Sequence, residues 1–188
     1  MWVVMFRLDR SNIWPRTWMA AAAVSGYAIV AASALGNARD LLGRISAVEV
    51  AVGITVGGAW LVTTHVGAAV LGRIVPSFLE EITDLYRLAD GDSATRIVGP
   101  LIAMAVAEEL LFRGLIQAQA GLLVAVGIYA AIQLVEGKAA LIVAAAFGGL
   151  VWGGLFAWRD GLVAPIVAHA VWTVALTLVW PLHTERVA

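Results

Sequence analysis

Long apolar runs follow one another along this chain with little relief, and they restrict what it can fold into. Hydrophobic stretches occupy about 17–35, 47–72, 99–118, 121–136, 139–158 and 161–181. Most approach the roughly 20 residues with which a helix crosses the hydrocarbon core of a bilayer. Composition points the same way: 62% of the 188 residues are hydrophobic and only 13% charged, and the mean hydropathy is +0.91. An aqueous fold cannot hide that much apolar surface. The expected fold is all-α, a polytopic membrane helix bundle of about six transmembrane helices, with residues 1–188 forming a single membrane domain.

Breaks between the runs carry turn signals. Trp158-Arg159-Asp160-Gly161 separates the fifth stretch from the sixth. Pro15, Pro76, Pro100, Pro165 and Pro181 fall near the expected ends, where a missing N–H is tolerated. Residues 77–89 differ from the runs: Ser77 with Glu80 has the form of a capping box, and Phe78, Ile82, Leu85 and Ala89 share a face opposite Glu80, Glu81 and Asp84. That pattern predicts an interfacial amphipathic helix on the bilayer surface, a connector or a lid. Gly53/Gly57 and Gly149/Gly153 have the spacing of close helix contacts.

Basic residues suggest an orientation. With the N-terminus cytoplasmic, Arg7, Arg10, Arg16, Arg73, Arg87, Arg96, Lys138 and Arg186 lie inside, and Arg39, Arg44 and Arg159 lie outside. The expectation is a multi-pass protein of a bacterial-type cell membrane with both termini cytoplasmic. The first run, ending in Ala32-Ser33-Ala34, imitates a cleavable signal, but the polar region before it is long for one, which favours a retained helix. A net charge of −1 gives no reason to expect nucleic acid as a partner. The absence of cysteine excludes thiol catalysis and thiolate metal sites.

One run is not purely apolar. Glu108, Glu109 and Arg113 lie near the centre of the third stretch, where each charge costs about 2.5–3.5 kcal/mol on insertion scales. Such a cluster requires mutual pairing and a polar cavity. Glu109 and Arg113, four apart, share a face and can pair. Glu108 is turned about 100° away, which leaves it for other work. His169 sits mid-way along the last stretch with Thr173 one turn on, and Gln133 follows Tyr129 by one turn in the fourth. Singly, His169, Gln133 and Thr173 read as hydrogen-bonding glue between helices. Together with Glu108 they can hold and activate a water, with or without a metal.

These residues resemble the CAAX-protease and bacteriocin-processing (Abi) family of intramembrane endopeptidases. That family carries E-E-x-x-x-R, then F-x-x-x-H, then H-x-x-x-N or H-x-x-x-D on successive helices. Here Glu108-Glu109 to Arg113 complete the first motif and Gly114 follows. Tyr129 to Gln133 stands in the place of the second, and His169 to Thr173 in that of the third. The resemblance covers about 99–175, a CAAX-protease-like catalytic core. It implies hydrolysis of a peptide bond in a membrane-associated peptide or protein, with Glu108 as general base, Glu109 and Arg113 mainly architectural, and His169 an oxyanion donor or ligand. Tyr129, Gln133 and Thr173 are supporting. A divalent metal such as zinc, held by Glu108, His169 and Gln133, is one implied arrangement, and a metal-free glutamate mechanism is the other.

Two departures bear on chemistry. Glutamine does not titrate near neutral pH and is a poorer metal ligand than imidazole, and Thr173 offers a hydroxyl where an amide is expected. A catalytically degenerate member that binds a membrane peptide therefore stays open. So does a small proton-coupled transporter, although no internal repeat supports it.

Overall fold

The computed structural model describes residues 9, 11–36, 42–86 and 91–182. Arg7, Arg10, Arg39, Arg87, Ala89 and Arg186 lie outside the described residues. Among the described residues eight α-helices follow in order: α1 (Ile13–Ala34), α2 (Ala47–Ile74), α3 (Pro76–Tyr86), α4 (Ala94–Glu109), α5 (Ala118–Ala120), α6 (Leu122–Ile132), α7 (Ala139–Arg159) and α8 (Val163–Val174). A π-helical stretch, Leu110–Gln117, joins α4 to α5. A 3-10 turn, Gln133–Glu136, prolongs α6, and a second π stretch, Ala175–Val179, prolongs α8. No strand occurs among the described residues.

The outer surface is apolar. Met19, Val30, Val66, Leu123 and Phe147 are exposed, an arrangement that lipid covers and water does not. The expected count of six crossing helices is corrected here. Among the described residues, Ile13–Ala34, Ala47–Ile74 and Ala139–Arg159 are long and apolar enough to cross a membrane. The apolar helices Leu122–Glu136 and Val163–Val179 have 10–17 residues. At about 1.5 Å per residue they fall short of a hydrocarbon core of about 30 Å. The stretch 99–118 is interrupted by its own charges and by the change to π geometry.

Local chemistry explains most of the borders. Asp9 accepts hydrogen bonds from the Ser11 and Asn12 backbone N–H groups and starts the turn into α1. Bonds from Ser11 hold its carboxyl below the usual range. Ser46 caps α2 by accepting from the Glu49 N–H. Asp160 ends α7 in the left-handed conformation, with φ 52°. Two expectations fail. Helix α3 begins at Pro76, so Ser77 lies in the first turn and cannot form the capping box. Helix α4 begins at Ala94, which puts Pro100 inside it and not at its edge.

The helices pack mainly in pairs: α2 along α8, α1 along α4, and α6 along α7, with α4 also against α8. At one end, Arg159 makes a 2.6 Å ion pair with the buried Glu49, and the Leu162 N–H donates to the Leu42 carbonyl. The start of α2 is thereby clamped to the α7–α8 turn. At the other end, the Glu81 carboxylate accepts the Ala140 N–H at the start of α7, and Lys138 Nζ donates to the Glu81 carbonyl. Helix α3 is thus tied across the bundle, with Phe78 and Ile82 turned to a central cavity.

The α2–α8 crossing is close because it is built on glycine. A Cβ added at Gly57 would lie 2.5 Å from the Ala168 carbonyl oxygen, and one at Gly53 would lie 2.7 Å from that of Ala164, whereas nothing lies within 4 Å of Gly58. Overpacking of this kind typically costs about 1–3 kcal/mol. The Gly57→Ala protein is expected to melt several degrees lower in detergent and the neighbouring Gly58→Ala to match wild type, as scanning fluorimetry on the purified protein would show.

Candidate active site

The three charges of the third apolar run come to rest where α4 meets α6, α7 and α8. Glu108, Glu109, Arg113 and His169 are each at most 5% exposed, so every one of them has left water and needs partners inside the protein. Glu109 is the shared partner. Arg113 Nη1 lies 3.3 Å from Glu109 Oε1, the pair expected from their spacing. His169 Nδ1 lies 2.8 Å from the same oxygen. Since an ionised carboxylate only accepts hydrogen bonds, Nδ1 carries a proton toward it. The tautomer then leaves Nε2 facing Glu108, whose Oε2 is 3.7 Å away.

Glu108 is held as well. The Tyr129 hydroxyl donates to Glu108 Oε2 over 2.7 Å. Neighbouring helices thus supply Glu108 with a partner that the geometry of its own helix does not reveal. The role expected for Glu109 also widens, because it orients His169 in addition to pairing with Arg113. Such a carboxylate behind an imidazole fixes both ring orientation and tautomer.

Arg113 reaches beyond the cluster. Its Nη2 donates to the Gly149 carbonyl, and one turn later Gln117 Nε2 donates to that of Gly153. The glycine pair in α7 therefore does more than allow close packing, since it exposes two backbone acceptors to side chains from the π stretch. A Cβ at Gly153 would collide with Gln117 and Leu122. The π geometry itself is absent from the local residue pattern, and such widened turns are frequent at functional sites.

His169 is sandwiched among aromatics. Trp152 stacks on it with centroids 5.5 Å apart, and Trp172 lies 6.0 Å away. The Trp172 indole N–H donates to Thr64 Oγ1 on α2. Neither tryptophan was singled out from the sequence; a tryptophan one turn from a buried histidine was the signal available.

These side chains open on one cavity of about 520 Å³. Glu108, Tyr129, Gln133, His169 and Thr173 all line it, among apolar residues that include Trp60, Leu71, Met104 and Leu176. Gln133 is 3% exposed. Its Oε1 and the Thr173 Oγ1 are buried without a hydrogen-bond partner, which is costly unless a water or ligand group supplies the missing donor.

Residues 91–175 match the sequence model of a family described as Rce1-like, type II CAAX prenyl endopeptidases. This stretch is Rce1-like. The match runs from just before α4 to the end of α8 and takes in every residue of the cluster. No curated protein and no solved structure matches the chain. The similarity is to a family of CAAX prenyl endopeptidases and covers less than half of the chain.

A zinc site in a hydrolase takes three protein ligands. Among the described residues no group of three His, Asp or Glu side chains is placed to hold a metal ion. Glu108 and His169 would need the weakly ligating amide of Gln133 as the third ligand, so the donor set does not fit zinc well.

Removing Arg113 would strand the Glu109 charge in an apolar interior, a change that typically costs about 3–5 kcal/mol. Arg113→Leu is expected to lower the thermal midpoint sharply and to cut the yield of folded protein. Size-exclusion profiles and melting curves in detergent would measure both.

Proposed function

We propose that this chain is an intramembrane endopeptidase of the CAAX-protease type, acting on a membrane-associated peptide or protein, with Glu108 as the water-activating base. The convergence of Glu108, His169, Gln133 and Thr173 on one cavity carries the reading. Glu108 Oε2 and His169 Nε2, 3.7 Å apart, are close enough for one water to touch both.

In this mechanism Glu108 takes a proton from that water as its oxygen attacks the scissile carbonyl carbon. Negative charge then develops on the carbonyl oxygen, and a donor already in place stabilises it most effectively. In this mechanism His169 works as the imidazolium, with Nδ1–H held by Glu109 and Nε2–H left as the donor to that oxygen. Collapse of the tetrahedral intermediate breaks the C–N bond, and the proton held by Glu108 passes to the leaving amine. Gln133 orients the water or the substrate amide through its unpartnered carbonyl oxygen. The apolar walls exclude bulk water from these steps.

The arginine and lysine asymmetry supports cytoplasmic N- and C-termini. On this reading α3 and the start of α7, joined by Glu81 and Lys138, face the cytoplasm, and the Glu49–Arg159 pair faces the opposite side. The site then lies in the cytoplasmic half of the bilayer. A second reading, a non-catalytic binder of membrane peptides, is favoured by one observation: the amide at Gln133 cannot exchange a proton as an imidazole would.

Both readings are separable by cleavage of a membrane-anchored reporter peptide in proteoliposomes. Glu108→Gln and His169→Ala are each expected to slow it by a factor on the order of 10²–10⁴, and wild-type rates from both would remove these residues from the mechanism. Gln133→His is expected to raise an existing rate. Activity that appears only in that variant would instead identify the native protein as a binder.

A further inference from the structure

The cluster contains a group that the mechanism above does not use. Tyr129 is buried, 8% exposed, and its ring is fixed from several sides. Phe112 lies 4.4 Å away between centroids, the Arg113 guanidinium lies 5.2 Å from the ring centre, and Gly149 brings the backbone of α7 against the ring edge. A phenol held this rigidly has little freedom in where it aims its hydroxyl. It aims at Glu108 Oε2, over 2.7 Å, from 21 residues away in sequence.

His169 and Gln133, which share the cavity with Glu108, are placed differently. The nearest imidazole nitrogen, His169 Nε2, is 3.7 Å distant, beyond a hydrogen bond, and its ring is committed through Nδ1 to Glu109. Gln133 lies one turn after Tyr129 and has an acceptor oxygen without a partner. A glutamate side chain has several rotamers of similar energy, and only some of them present the carboxylate to a substrate. A fixed donor selects one of them.

We infer that Tyr129 is a positioning residue that acts through Glu108: its hydroxyl anchors one carboxylate oxygen and turns the group toward the cavity it shares with His169. This rests on the hydrolytic reading above. The arrangement follows the general rule that a reacting group performs best when neighbouring side chains lock its geometry beforehand. Because Tyr129 acts on the base and not on the substrate, its loss is expected to lower kcat and leave KM nearly unchanged.

Tyr129→Phe keeps the ring, its contact with Phe112 and its place under Arg113, and removes the hydroxyl alone. Reporter cleavage in proteoliposomes should show kcat reduced by tenfold or more, KM within twofold of wild type, and a displaced acid limb in the rate–pH profile. Infrared spectroscopy supplies a readout independent of turnover. The carboxyl band assigned to Glu108 by its absence in Glu108→Gln should move in Tyr129→Phe. If kcat falls with an unmoved band, or the band moves with unchanged kcat and pH profile, the inference is overturned. Should Tyr129→Phe fail to fold, 3-fluorotyrosine can be incorporated in a chain carrying Tyr27→Phe and Tyr86→Phe. The stronger donor should then displace the Glu108 band, and a band at its wild-type position overturns the inference. Full activity of Glu108→Gln would refute the hydrolytic reading instead, while a band shift in Tyr129→Phe would still report the contact itself.

Discussion

A carboxylate buried with almost no access to solvent is the constraint around which this bundle is arranged. Glu109 has 0% exposure, and an uncompensated charge at that depth is incompatible with a stable fold. Two cations or potential cations answer it from different directions: Arg113 from the same helix and His169 from α8. The guanidinium needs further acceptors, and the bare carbonyl of Gly149 meets one of its donors. From a single buried acid follow the approach of α8 to α4, the smooth face of α7 and the orientation of the imidazole. Structural necessity and chemical opportunity coincide, since the ring oriented for the sake of Glu109 presents its other nitrogen to Glu108.

The second acid is treated differently. Glu109 is locked within protein, whereas Glu108 lies at the wall of the cavity and is steadied by a neutral phenol. A hydroxyl anchors a carboxylate without cancelling its charge, as a guanidinium would. Adjacent residues of one chemical type thereby receive different environments, one enclosed by Arg113 and His169 and one set at the cavity wall. Division of labour between paired carboxylates set by surroundings alone is a recurrent device in hydrolytic sites.

Much of this was legible in the sequence because its causes are local. The apolar run 47–72 is nearly the observed α2, Ala47–Ile74, and the Trp158–Gly161 turn falls where α7 ends. The i,i+4 spacing of Glu109 and Arg113 was sufficient to foresee their contact. What remained hidden depends on distant residues. The bond from Tyr129 to Glu108 joins positions 21 apart, that from Arg113 to Gly149 positions 36 apart, and the Glu109–His169 contact positions 60 apart. No helical periodicity encodes such pairings. Pro100 misled for a related reason: a proline reads as a border, yet tertiary packing carries α4 through it. The number of crossing helices was overestimated because an apolar run does not show where its helix stops, and Leu122–Glu136 and Val163–Val179 end short of a full span.

The shortness of the helices that carry Gln133 and His169 has a consequence for the surrounding lipid. An apolar helix shorter than the hydrocarbon layer draws the headgroups inward or is shielded by taller neighbours. Helix α8 packs along the 28-residue α2 and α6 along the 21-residue α7, so each short helix stands beside a taller one, an arrangement that favours a local dip in the bilayer. Over such a dip the permeability barrier is thinnest, so on the hydrolytic reading the cavity lies only a short diffusion path from the aqueous phase that would supply its second reactant.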